Sequence, residues 1–277
     1  MRSSSERAPI RPLSSVLFLG SGGARFVVAR QLRASGGMWM RFGPTQIHVD
    51  PGPGALVRAL ANVPPCNPRE LDAIVLSHKH LDHSGDVNAL VEAMTSGGFR
   101  RRGMLLAPAD AFDDEPVVLP YAQRYVERLE RLEASAGPYR IGGVELRTSV
   151  AHLHSVRTYG LHFAYEGLRV AYLPCGRFFD GLGADYARLR PDVLIVNVLR
   201  YRDEMNVDHL TWDDARRIVA DVRPSVAVFQ HFGTKMLEAG PQRLAQELED
   251  ELGLRAIAAY DGFTLDLDTE VAAVAPD

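Results

Sequence analysis

Short apolar runs alternate along this chain with segments of helical period. Val16 to Leu19, Gln46 to Asp50, Ala73 to Leu76, Val144 to Thr148, Leu161 to Tyr165, Val170 to Leu173, Val193 to Val198 and Ser225 to Gln230 are each a few residues long and bounded by polar or turn residues. Such runs predict strands, with two more near Ala256 to Ala259 and Thr264 to Leu267. Between them the pattern predicts helices over Ala55 to Ala61, from an Asp86 N-cap to Met94 with Gly97-Gly98 behind it, near Tyr121 to Glu133, from a Thr211/Asp214 capping box through Val219, and over Pro241 to Leu252. Strands and helices interleave throughout, which predicts an α/β fold. Polar residues 1–15 read as a flexible terminus, and with no Pro/Gly/Ser-rich linker or internal repeat, residues 16–277 predict a single domain.

Composition narrows the class. The chain has 277 residues, 46% of them hydrophobic, and a net charge of −4, enough for a large core and too acidic overall for a general nucleic-acid binder. No run approaches a membrane span and no secretory signal opens the chain, so a cytoplasmic location is expected. The two cysteines, Cys66 and Cys175, do not make the disulfide framework of a small secreted domain. Gly20-Ser21-Gly22-Gly23 lacks the third glycine of a dinucleotide loop, because Arg25 stands there, and reads instead as a tight turn beside a site. Arg100-Arg101-Arg102 reads as a solvated turn.

The chemistry lies in His78-Lys79-His80-Leu81-Asp82-His83, directly after the strand ending at Leu76. Three imidazoles and a carboxylate within six residues suit a divalent cation, with His78 and His80 on one metal and Asp82 and His83 on a second. More donors stand at other strand ends: His154 in Ala151-His152-Leu153-His154, Cys175 after Val170 to Leu173, and His231 after Val226 to Gln230.

With these residues assembled, the chain resembles the metallo-β-lactamase-fold hydrolases, whose signature is His-x-His-x-Asp-His followed by a histidine, a metal-bridging acid and a last histidine. The resemblance runs from Val16 to Leu267. It implies a four-layer αβ/βα sandwich with a dinuclear centre in a cleft between two sheets: His78, His80 and His154 on one metal, Asp82, His83 and His231 on the other. His154 is preferred to His152 because His154 to Tyr159 matches the family spacing, leaving His152 to line the pocket or hydrogen-bond behind the ligands. Asp50 resembles the family acid that holds a ligand histidine. Cys175 stands where relatives carry the bridging acid; a thiolate at ~2.3 Å favours zinc, two ions being expected, with iron or manganese as alternatives. Asp180 lies too far past the strand end to replace it.

Metal-bound zinc water has a pKa lowered from 15.7 towards ~7, so hydroxide is available at neutral pH and Asp82 orients it. Asp208-His209-Leu210-Thr211 resembles an element of the phosphodiesterase branch in which the histidine, here His209, faces the substrate. The resemblance places a nucleic-acid-binding arm between the third histidine and the bridging acid and a cap domain between that acid and the last histidine; the position differences here, 175 − 154 = 21 and 231 − 175 = 56, leave room for neither. The expected function is hydrolysis of a small or locally exposed phosphodiester. The alternatives are a carboxylic-ester, thioester or lactone hydrolase, and a non-catalytic metal-binding protein altered by Cys175. A homodimer through edge strands or helices would be unsurprising.

Overall fold

The computed structural model describes residues 14–113, 115–202 and 207–273. The expected flexible terminus lies, up to residue 13, outside them. Fourteen strands follow in order: β1 (Ser15–Phe18), β2 (Met38–Phe42), β3 (Thr45–Val49), β4 (Ala73–Val75), β5 (Met104–Pro108), β6 (Arg128–Leu132), β7 (Tyr139–Ile141), β8 (Val144–Ala151), β9 (Tyr159–Tyr165), β10 (Leu168–Leu173), β11 (Val193–Asn197), β12 (Val226–Gln230), β13 (Arg255–Ala258) and β14 (Thr264–Asp266). Among the described residues they make two seven-stranded sheets, ordered β14-β1-β2-β3-β4-β5-β6 and β13-β12-β11-β10-β9-β8-β7.

The layers follow from strand alternation, which sends successive side chains to opposite faces. In β11, Val193 and Ile195 join the core between the sheets, while Leu194 and Val196 join a second core under the helices Leu182–Ala187, Trp212–Val222 and Pro241–Leu252. In β4, Ala73 and Val75 face the other sheet, and Ile74 packs with residues of the helices Ala55–Ala61 and Val87–Thr95. Because such strands are buried on both faces, they read in sequence as unbroken apolar runs. Phe42 and Phe163 stack across the sandwich at 5.9 Å. The result is the αβ/βα sandwich.

Two expectations are corrected. The stretch Tyr121 to Glu133 is not one helix: Pro120–Gln123 makes a single turn, and Arg128–Leu132 is the edge strand β6, paired in parallel with β5. Apolar residues spaced by four invited the helical reading, but Leu129 and Leu132 find their burial against the open edge of a sheet, and tertiary pairing overrides propensity. Asp86 does occupy the N-cap position, yet makes no cap bond to its own helix; its carboxylate accepts from Leu56 N (3.0 Å) at the start of the helix Ala55–Ala61. The Thr211/Asp214 capping box forms in full.

Several buried titratable groups, His48 and His162 among them, lie outside the candidate site's donor atoms. His48 of β3 is fully buried with one ring nitrogen 2.8 Å from the Gly36 carbonyl, and burial lowers its pKa to about 4. An unfolded histidine takes its proton near pH 6.5, so His48 favours the fold above that pH and this contribution is lost as pH falls from about 6.5 towards about 4. His48→Gln should therefore reduce the loss of unfolding free energy between pH 7.5 and pH 5 by about 2 kcal/mol, read from denaturant titrations at the two pH values.

Candidate metal centre

β3, β4 and β5 run parallel in one sheet, as do β10, β11 and β12 in the other. Ligand sites in α/β sheets form beyond the carboxyl ends of such strands. Asp50 follows β3, the segment from Ser77 to His83 follows β4, Cys175 follows β10 and His231 follows β12. The two sheets thus deliver these residues to one place.

The donor atoms of His78, His80 and His154 lie within 4.8 Å of one another, as do those of Asp82, His83 and His231. Cys175 belongs with both neighbourhoods: its Sγ groups with His78 and His83, and separately with His209 and His231. His80 Nδ1 is 3.1 Å from His154 Nε2, and His83 Nε2 is 3.0 Å from His231 Nε2. Cys175 Sγ is 3.5 Å from His83 Nε2 and 3.6 Å from His231 Nε2.

Hydrogen bonding behind the donors decides what they present. The buried Asp50 carboxylate accepts from Ser77 N (2.7 Å), Ser77 Oγ (2.6 Å), the Tyr172 hydroxyl (2.9 Å) and His83 Nδ1 (2.9 Å). A carboxylate accepts only, so it holds a proton on His83 Nδ1 and turns the Nε2 lone pair inward. Ser77 Oγ, having donated to Asp50, accepts from His78 Nδ1 (3.0 Å), which leaves His78 Nε2 as a buried atom with no protein partner. Converging lone pairs repel unless protons or a cation lie between them. A set of imidazole nitrogens, a carboxylate and a thiol directed at shared points fits a divalent transition-metal ion.

Without a cation, protons take that role. Burial opposes an imidazolium at His231, but the Cys175 thiolate and the Asp82 carboxylate outweigh it and raise its pKa to about 9. Burial likewise opposes the Cys175 thiolate, yet His231, His83 and His209 hold the thiol well below its ordinary range. His80 and His154 stay neutral, burial and then the neighbouring His78 lowering them to about 4 and about 3.

The backbone is bent to reach this arrangement. Asp50 and His231 are non-glycine residues with φ of 52° and 62°. Left-handed geometry at such positions is uncommon and concentrates at functional sites. A Cβ on Gly23 would sit 2.1 Å from His231 Nδ1, so the glycine turn is what lets the ring lie against the chain. Asp82 Oδ2 accepts from Ala24 N (3.0 Å) beside that turn and lies 3.3 Å from His231 Nε2.

The other predicted residues fall into distinct places. His152 is buried behind Cys175, with Nδ1 3.0 Å from the Cys175 carbonyl and Nε2 3.0 Å from the Tyr186 hydroxyl. His209 has its ring 5.3 Å from that of His154 and 5.9 Å from that of His231. Asp180 is exposed and pairs with Arg217, away from the cluster. Sequence analysis gave no site role to Ser77, Tyr172 or Asn197; the Asn197 amide donates to the Tyr172 hydroxyl (3.0 Å) and lies 3.6 Å from Cys175 Sγ. The signal for the last two was present: a hydroxyl on the inward stripe of β10 and an amide ending the buried strand β11. Both cysteines are free thiols.

Outside the cluster, His80, His154 and His209 line a cavity of about 700 Å³. Fold and site together define a class. The chain belongs to the beta-lactamase superfamily, whose family profile, described as "Beta-lactamase superfamily domain", matches residues 45–232; that fold family consists mostly of metal-dependent hydrolases. The uncharacterized protein MJ1374 of Methanocaldococcus jannaschii is 30% identical over 263 residues, covering 91% of this chain and 94% of that one. The fold is similar to that of the metallo-β-lactamase fold protein YhfI from Bacillus subtilis (TM-score 0.73, 19% identity, 91% of this chain and 99% of that one). It is also similar to a diphosphatase of the PhnP family (TM-score 0.64, 23% identity, 91% and 97%). Among the described residues no helix is long and apolar enough to cross a membrane.

Asp50→Asn should weaken binding of a divalent metal ion, with zinc as the probe, about 10–100-fold, because an amide no longer fixes the His83 tautomer. Competition with a chromophoric chelator measures this, and unchanged affinity would remove Asp50 from the account.

Proposed function

We propose that the protein is a metal-dependent phosphodiester hydrolase with a two-metal centre. His78, His80 and His154 would hold one ion and Asp82, His83 and His231 the other, with Cys175 supplying sulfur to the second. A thiolate among imidazoles and one carboxylate favours zinc over harder ions such as manganese. When bound, a pair of such ions supplies a water of lowered pKa and takes up negative charge on phosphoryl oxygens.

The rest of the work falls to the chain. Asp82 is mostly buried, with Oδ2 beside His231 Nε2 and Ala24 N, and its carboxylate would accept a hydrogen bond from the attacking water and so orient it. Asp50, Ser77 and Tyr172 hold the ligand rings in register, which keeps the reacting atoms in one geometry. His209 would donate a proton to the leaving oxygen. The observation that carries this reading is the position of His209: it lines the cavity together with His80 and His154, and its ring lies beside that of His154. A protein of similar fold is named a diphosphatase of the PhnP family, which supports phosphorus chemistry for this reading.

His209→Ala should lower turnover of a phosphodiester with a poor, alcohol leaving group, such as thymidylyl-thymidine, by about 100-fold or more, the range for loss of a general acid. Metal content measured on the same samples by plasma mass spectrometry should stay at the unaltered value. Full turnover in the variant would refute the role; loss of metal along with turnover would make His209 a ligand instead.

A further inference from the structure

The cavity over the metal centre is lined by more positive charge than a single phosphodiester needs. Arg25 comes from the helix Ala24–Arg30, Arg177 from the segment after β10, Arg200 and Arg202 from the segment after β11, and Lys235 from the helix Thr234–Ala239. The carboxylate among the lining residues, Asp208, is already engaged by Arg177 through bonds of 3.2 and 3.0 Å. Lys235 has Glu238 at 3.0 Å. Arg25 and Arg202 are exposed and, among the described residues, have no carboxylate partner. The Arg202 guanidinium lies 5.1 Å from the centroid of the Tyr201 ring, a contact that leaves its in-plane N–H donors for a ligand. In a chain of net charge −4, this is a local concentration of cations at the mouth of the site.

The arginine-rich turn at 100–102 does not contribute. Arg101 and Arg102 donate to the carbonyls of Val126 and Leu71, the latter just before β4, whereas the metal cluster follows the other end of that strand. The same cavity wall carries Phe26, 69% exposed. An aromatic face held open beside cations is a stacking platform for a nucleobase.

We infer that the substrate is a nucleoside phosphodiester bearing a second, terminal phosphate, gripped by Arg25 and Arg202 while its base lies on Phe26. This rests on the phosphodiesterase reading and extends it from a reaction to a substrate class. Guanidinium groups match phosphate oxygens with paired, charge-assisted hydrogen bonds, so a terminal phosphate is the group this rim selects. A neutral ester or lactone would leave the rim cations unused.

Two chromogenic esters that differ only in a terminal phosphate test the inference: thymidine 5′-(p-nitrophenyl phosphate) and thymidine 3′-phosphate 5′-(p-nitrophenyl phosphate). The bisphosphate should have a kcat/KM about tenfold higher or more. That ratio should shrink with added salt and fall towards one in the Arg25→Ala/Arg202→Ala double variant, while Arg100→Ala keeps it. Equal kcat/KM for the two esters in the unaltered enzyme, or a preference that survives the double substitution, overturns the inference. Absence of turnover on both would count against the phosphodiesterase reading alone, and calorimetry then reads the subsite directly. Tighter binding of thymidine 3′,5′-bisphosphate than of thymidine 5′-monophosphate, lost in the double variant, would uphold the terminal-phosphate grip; equal binding would overturn it.

Discussion

A buried carboxylate has to be hydrogen-bonded, and the way Asp50 meets that demand organises the centre of this molecule. Its four donors come from the strand-end segment after β4, through Ser77 and His83, and from β10 in the opposite sheet, through Tyr172. Leaving such a charge without partners would cost several kcal/mol. Burial by itself pushes the carboxyl pKa up, but His83, followed by His78 and Ser77, outweighs it and holds Asp50 ionised. The same bonds that solvate the charge also tie the two sheets together and choose the tautomer of His83, and through Ser77 that of His78. The orientation of these donor rings is therefore a by-product of keeping one charge stable inside the protein.

Cys175 gives the centre its own character. Its thiol lies between the two donor groups, within reach of His83 and His231, with Asn197 behind it. A bridging carboxylate would offer one oxygen to each side. A single sulfur offers a softer and more polarizable donor from one point, which shifts preference towards zinc. His152 and Tyr186 fix the Cys175 backbone from behind, so packing and hydrogen bonds place the sulfur.

What could be read in the sequence was whatever is local. The histidine cluster, Cys175 and His231 each sit at the end of an apolar run, and strand ends are legible because burial on both faces makes the run continuous. The capping box at Thr211 was legible for the same reason. Tyr121 to Glu133 was misread because charged, helix-favouring residues become an edge strand only when β5 is there to pair with. Met38–Phe42 and Ala24–Arg30 gave no clear element in the sequence, since the glycine-rich turns around them masked their periods. The cationic rim was invisible for a different reason: its cations come from four separate segments of the chain that meet only in space, whereas the contiguous Arg100-Arg101-Arg102, conspicuous in sequence, braces a loop.

The central claim is that this chain builds a zinc centre with sulfur as a donor. X-ray absorption at the zinc edge on the zinc-loaded protein tests it most directly. The account predicts a sulfur scatterer at about 2.3 Å beside nitrogen and oxygen at about 2.0–2.1 Å, with the sulfur contribution lost in Cys175→Ser. A shell of nitrogen and oxygen alone in the unaltered protein would contradict it.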